Sequence, residues 1–150
     1  MAWRIGEILV RKKLITWEQL EEALAEQSVS HKMTGQILID KGYVTPTLFQ
    51  MALAEQYELK FVDLRRTRIN PKAQEMIPQE MAEKFQIIGL ECTPTTLIVG
   101  IYNPITNVPE AEIKQLTGRL EVQKVLCLRT QFEEVYEAFY LKSRPELAAR

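Results

Sequence analysis

The chain has 150 residues, with 19 Lys and Arg against 20 Asp and Glu, a net charge of −1, 46% hydrophobic residues and 26% charged ones. That composition supplies a core and excludes a disordered tail. It also lacks the basic footprint of a protein whose main task is gripping DNA or RNA. No apolar run approaches the roughly 20 residues needed to span a bilayer, and with Glu7 and Arg11 so near the start no secretory leader is expected.

In the first element, Ile5, Ile8, Leu9 and Lys12 share one helical stripe, and Leu14 and Ile15 fill a turn. Thr16 with Gln19 predicts a capping box, after which Leu20, Ala23, Leu24 and Gln27 follow the i, i+3, i+4, i+7 rule of a second helix. His31, the only histidine, falls in a polar connector. The same pattern then returns. Ala23-Leu24-Ala25-Glu26-Gln27 recurs letter for letter as Ala52-Leu53-Ala54-Glu55-Gln56, an offset of 29 residues. That offset also carries Gly6 onto Gly35, Leu9 onto Leu38, Val10 onto Ile39, Ile15 onto Val44 and Thr16 onto Thr45. Two copies are too few for a solenoid and predict a pair of helical hairpins packed face to face. In the second copy Gly42 breaks the short helix, Thr45 caps the longer one, Pro46 takes its first turn, and Phe49, Ala52, Leu53 and Gln56 repeat the stripe.

Beyond Gln56 the character changes. Tyr57 to Leu64 reads as extended, and Arg65-Arg66-Thr67-Arg68 as a solvated basic connector. Short helices are expected from Lys72 to Ile77 and from Pro78 to near Lys84. Strands are expected from Gln86 to Cys92 and from Thr96 to Tyr102, joined through Thr93-Pro94-Thr95. A helix from Glu110 to Leu116 stops at Gly118, a third strand runs from Leu120 to Leu128, and Thr130 with Glu133 predicts a capping box for a closing helix. That helix carries Phe132, Val135, Tyr136, Phe139 and Tyr140 as core, and Leu147 to Arg150 should fray. The expected class is α+β: a pair of repeated helical hairpins over residues 1–60, then a small layer of three strands with helices over residues 61–150.

The chemistry-bearing residues are few. Cys92 and Cys127 lie in apolar runs without metal-type spacing and read as reduced structural thiols, and a lone histidine leaves no imidazole–thiolate metal site. None of the six glycines forms a phosphate-binding loop, and no carboxylate pair suits acid–base work, so no enzyme is expected. What asks for a reason is a glutamine closing an apolar stripe twice. Gln27 and Gln56 either cap helix carbonyls at the rim or read the hydrogen-bonding edge of a planar ligand. Glycine near a helix start costs roughly 1 kcal/mol, so Gly6 and Gly35 admit the close approach of a ligand or of the neighbouring helix.

Arg4-Ile5-Gly6, Leu9-Val10, Leu14-Ile15, Leu20, Leu24 and Gln27 resemble the first copy of the MshEN motif, which belongs to the amino-terminal domains of type II secretion and type IV pilus assembly ATPases. Gly35, Leu38-Ile39, Gly42, Val44, Leu53 and Gln56 resemble its second copy. The likeness is strong over the first sixty residues and weaker through Phe61 to Leu64 and the Asn103-Pro104 turn. It implies a cytoplasmic regulatory domain that binds cyclic di-GMP across the two copies, with Arg4-Ile5-Gly6 opening the site. Arg4 would supply a guanidinium for a guanine edge or a phosphate. Gly6 and Gly35 would offer main-chain amides, Leu20, Leu24 and Leu53 would cover base faces, and Gln27 and Gln56 would make directional hydrogen bonds. Asn103 stands at a turn where the family often carries an acidic residue near the ligand.

Four positions depart from the pattern. Met33 and Thr34 stand where the first copy has Arg4 and Ile5, Lys13 stands where the second copy has Gly42, and Phe49 replaces a leucine. Losing one charge-assisted contact costs about 1.5–3 kcal/mol, ten- to a hundredfold in affinity, so weak or one-guanine binding is one outcome. The alternative is a docking module without nucleotide, linking a secretion or pilus ATPase to the cytoplasmic part of an inner-membrane assembly protein and so lying at that membrane through its partner.

Overall fold

In the computed structural model the backbone is described for residues 2–141 and the side chains for residues 5–141. The chain divides into two units, Met1–Glu58 and Leu59–Arg150.

The first unit is all helix: α1 (Ala2–Arg11), α2 (Trp17–Ser30), α3 (Thr34–Asp40) and α4 (Pro46–Gln56). Local signals set the boundaries. Thr16 Oγ1 accepts from the Gln19 amide at 3.1 Å while Gln19 Oε1 accepts from the Thr16 amide at 2.9 Å, a reciprocal box at the start of α2. Thr45 does the same one-way service for α4, accepting from the Leu48 amide at 3.1 Å, with Pro46 in the first turn. Left-handed residues end the short helices: Lys13 at φ 61° and Gly42 at φ 74°, each 29 positions apart from the other. His31, at φ 62°, closes α2. Ile8, Leu9, Ile15, Leu20, Ala23, Ile37, Leu38, Val44 and Ala52 make one buried core drawn from both copies.

The second unit contains α5 (Pro71–Met76), α6 (Gln79–Phe85), β1 (Ile88–Cys92), β2 (Thr96–Ile101), α7 (Glu110–Thr117), β3 (Glu121–Leu126) and α8 (Arg129–Tyr136), followed by a π-helical turn at Glu137–Leu141. The sheet order is β1-β2-β3. β1 and β2 are antiparallel across a turn in which Thr93 Oγ1 accepts from the amides of Thr95 and Thr96. β2 and β3 are parallel, in register from Thr96 opposite Glu121 to Ile101 opposite Leu126, with α7 as the crossover and Gly118 at φ 72° as its stop. Lys60 to Val62 runs beside β3: the Val62 amide donates to the Leu126 carbonyl at 2.8 Å, and the Leu126 amide donates to the Lys60 carbonyl at 2.8 Å. At Gly89 an added Cβ would lie 2.0 Å from the Ala73 carbonyl oxygen, so α5 packs backbone to backbone on β1.

The α+β class therefore holds, with three corrections. The capping box at Thr130 and Glu133 does not form: α8 begins two residues earlier, at Arg129 with Leu128 as its cap, and Glu133 instead accepts from Arg129 Nε at 2.9 Å. The closing helix is not one α-helix, because its last turn is wound as π. Of its aromatics Phe132 and Tyr140 are buried, while Tyr136 and Phe139 are half-buried. Leu147 to Arg150 lies outside the described residues. Among the described residues no helix is long and apolar enough to cross a membrane.

Candidate functional site

The first unit is built on an exchange of partners between the two copies. The short helix of each copy packs on the long helix of the other, α1 on α4 and α3 on α2. Two ion pairs follow the same exchange: Lys12 meets Glu55 at 2.7 Å, and Lys41, its counterpart 29 residues on, lies 3.8 Å from Glu26. Within each copy the glycine sits beneath one side chain of its own long helix. A Cβ on Gly6 would come within 2.5 Å of a Leu20 methyl, and one on Gly35 within 2.3 Å of the Phe49 ring. The neighbouring helix, then, makes the close approach at both glycines.

The two glutamines do not share one environment. Gln27 Oε1 accepts a hydrogen bond from the Thr34 hydroxyl at 2.8 Å, and Thr34 is itself buried in α3. Under the 29-residue exchange Thr34 corresponds to Ile5, which has no donor to give. Gln56 Oε1 is buried and has no hydrogen-bond partner among the described residues. A buried acceptor left unpaired costs about 1–3 kcal/mol, so Gln56 presents an unmet demand for an N–H or O–H.

The remaining predicted residues are placed as follows. Ile5 and Leu20 are buried, and Leu24 and Leu53 are half-buried against the same core. The Arg4 side chain lies outside the described residues, although its backbone belongs to α1. Asn103 is in the second unit, where its Oδ1 accepts from the Ile105 amide at 3.1 Å and its carbonyl from the Thr106 amide at 3.0 Å, the geometry of a turn. Charge on the α2–α3 side is tied up internally. The Glu22 carboxylate accepts from the Tyr43 hydroxyl at 2.8 Å and from Lys41 Nζ at 3.0 Å, and these two contacts hold it below the usual carboxylate range. Glu22 in turn raises Lys41. In the second unit burial pushes the Cys127 thiol up to about 12, which leaves it unreactive. Among the described residues no His, Cys, Asp and Glu cluster suits a metal. Sequence reading marked Thr34 as a departure and missed its bond to Gln27. The signal was present: exchanging the copies maps the pair Gln27 and Thr34 onto Gln56 and Ile5.

A duplicated, partner-exchanging helical unit followed by a small mixed sheet is the architecture of a known domain. The model of the MshEN domain matches residues 57–146, more than half of the chain, and the chain belongs to that family. The match falls on the second unit, whereas the motif resemblance falls on the first. The chain is 28% identical over 147 residues to the type IV pilus assembly ATPase PilB of Myxococcus xanthus, covering 98% of this chain and 26% of that protein. It is 26% identical over 117 residues to PilB of Thermus thermophilus, covering 77% of this chain and 13% of that protein. A solved structure of MshE with cyclic di-GMP superposes with a TM-score of 0.75 at 25% identity, over 91% of this chain and 98% of the other. The chain thus spans about a quarter or less of the length of those two pilus ATPases.

Proposed function

We propose that this chain is a non-catalytic regulatory domain that binds cyclic di-GMP in its helical unit and passes the bound state to a pilus or secretion ATPase in the cytoplasm. The observation that carries the reading is the likeness to MshE, solved with that nucleotide, across nearly the whole chain. The helical unit supports it from its own chemistry, since Gln56 Oε1, buried and without a partner among the described residues, calls for an N–H donor of the kind that a guanine edge presents. The ligand carries two phosphates, and Arg4-Ile5-Gly6 on α1 is the segment assigned to meet it. Pre-formed helices keep the ordering cost of binding small.

Calorimetric titration of the chain with cyclic di-GMP tests the reading. Saturable heat is expected, and Arg4→Ala weakens it ten- to a hundredfold, the loss of about 1.5–3 kcal/mol from one charge-assisted contact. No heat at high micromolar nucleotide overturns it. The docking reading then takes its place, favoured by Met33 and Val29, which are 71% and 81% exposed on either side of the α2–α3 connector.

A further inference from the structure

The duplication makes one side of the helical unit an internal control for the other. The ends of the short helices share one backbone: the Lys12 and Lys41 amides donate to the Ile8 and Ile37 carbonyls at 3.0 Å, and the Leu14 and Tyr43 amides to the Leu9 and Leu38 carbonyls at 3.0 Å. The side chains on that common frame differ in sign. The α1–α4 side, residues 5–13 and 46–56, carries three cations and two carboxylates, whereas the α2–α3 side, residues 34–42 and 17–27, carries one cation and five carboxylates. Along the long helices Glu18, Glu21 and Glu22 are answered by Thr47, Gln50 and Met51, and at the ends of the short ones Asp40 and Gly42 are answered by Arg11 and Lys13. Both sides also expose apolar surface. Leu48 and Met51, 39% and 48% exposed, stand on α4 where α2 has Gln19 and Glu22, and Trp17, 54% exposed, stands beside Glu18 at the start of α2. Leu48, Met51 and Trp17 do not belong to the buried core, so the packing of the unit does not ask for them.

We propose that the α1–α4 side docks the α2–α3 side of a second copy of this chain, head to tail. Arg11 and Lys13 of one copy meet Glu18 and Glu21 of the next, and Leu48 and Met51 pack on the Trp17 ring. An aromatic and two large aliphatic side chains supply the apolar centre that a protein interface needs, and the charges around it decide which sides meet. The occupant is a second copy because every chain that brings the basic side also brings its acidic complement. A contact of either side with itself would set like charges together, so the interface is heterologous, and copies add one after another into a ring or a row. Glu22 takes no part, since Tyr43 and Lys41 already hold it. Exposed charge pairs are individually weak and screened by salt, so the association is weak and salt-dependent. The inference is independent of the cyclic di-GMP reading: it uses neither glutamine, and its test contains no nucleotide.

Sedimentation of the unaltered chain at high micromolar concentration is the test. At about 0.01 M salt, where the screening length is about 30 Å, the weight-average mass should rise with concentration above that of a single chain, and at about 1 M salt it should fall back. R11E/K13E reverses the cations of one side and E18K/E21K the carboxylates of the other. Each variant, shown to be folded by its thermal midpoint, should sediment as single chains at low salt. An equimolar mixture of the two should associate again, because each keeps the side that the other has lost. M51S, which leaves every charge in place, should weaken the association of the unaltered chain. Single chains at every concentration and salt overturn the proposal. If those single chains then sediment with phosphatidylglycerol vesicles and R11E/K13E does not, the basic side belongs to a lipid surface instead. Association that persists in either charge variant overturns the placement of the contact, and a mixture that stays apart overturns the head-to-tail pairing. An unchanged mass in M51S overturns the part given to Met51.

Discussion

The two hairpins of the first unit carry the same skeleton, and the places where they differ separate what the fold needs from what a ligand needs. Shared positions build the core: Leu9 with Leu38, Ile15 with Val44, and Ala23 with Ala52 are buried alike in both copies. The differences lie at the turns, over the glycines and at the stripe ends. Lys13 answers Gly42, Leu20 answers Phe49, and Ile5 answers Thr34. A duplicated scaffold tolerates these because its packing is set by positions that did not change. The variable positions were free to make the two sides of the unit unequal.

The largest effect expected from breaking this equivalence is at Gly35. A methyl there would lie 2.3, 2.6 and 3.0 Å from three atoms of the Phe49 ring, so the whole ring must leave its place. Gly35→Ala should destabilise the chain by about 1–3 kcal/mol, measured as a fall in the urea midpoint at unchanged slope. In a Phe49→Ala background most of that cost should vanish, since the three nearest atoms all belong to the Phe49 ring. A Gly35→Ala cost that persists there would place its cause outside the glycine–aromatic contact.

Much of the helical unit was legible in the sequence because its signals are local. The Thr16–Gln19 box, the Thr45 cap with Pro46 and the left-handed Gly42 act within a few residues, and comparison of the chain with itself exposes the rest. The second unit has no such repeat. Its three strands are visible as apolar runs, but the parallel pairing of β2 with β3 joins residues 25 positions apart, from Thr96 with Glu121 to Ile101 with Leu126, and the added Lys60–Val62 segment joins Val62 to Leu126, 64 positions away. Thr130 and Glu133 have the right letters for a cap, yet α8 starts at Arg129 and gives Glu133 a cationic partner. At the candidate site the glutamines stood out by composition. What distinguishes them is a hydroxyl on another helix, and that becomes visible only when both copies are folded together.

A smaller effect is expected at the turns. Lys13 holds φ 61° where its counterpart is Gly42 at φ 74°, and a left-handed conformation costs a residue with a Cβ roughly 1–2 kcal/mol. Glycine gives part of that back through the greater freedom of the unfolded chain. Lys13→Gly should therefore stabilise by roughly 0.5–1 kcal/mol, and Gly42→Lys should destabilise by a similar amount. Thermal midpoints of the two variants moving in opposite directions would show that the turns are equivalent in conformation and unequal only in residue. Movement in the same direction would break that equivalence.

The subtlest difference is electrostatic. Glu22, Tyr43 and Lys41 form a hydrogen-bonded group between α2 and α3, but the positions answering Glu22 and Tyr43 in the other copy are Met51 and Leu14, so among the described residues Lys12 has only its pair with Glu55. The Tyr43 hydroxyl first, and Lys41 second, stabilise the charged form of Glu22 and lower its pKa in the folded chain. A carboxyl whose folded pKa is depressed contributes stability at neutral pH, and that contribution is lost as the pH falls through the ordinary range for glutamate, about 4.3, toward the lower folded value. The group is exposed and salt-screened, so the effect is small. Urea midpoints at pH 7 and pH 4 should fall further for the unaltered chain than for Glu22→Gln, and added salt should narrow the difference. The α2–α3 side would then be held together by its own polar groups, which is the condition under which it has least to offer a ligand. Equal falls in the two proteins would mean that Glu22 does not knit that side together.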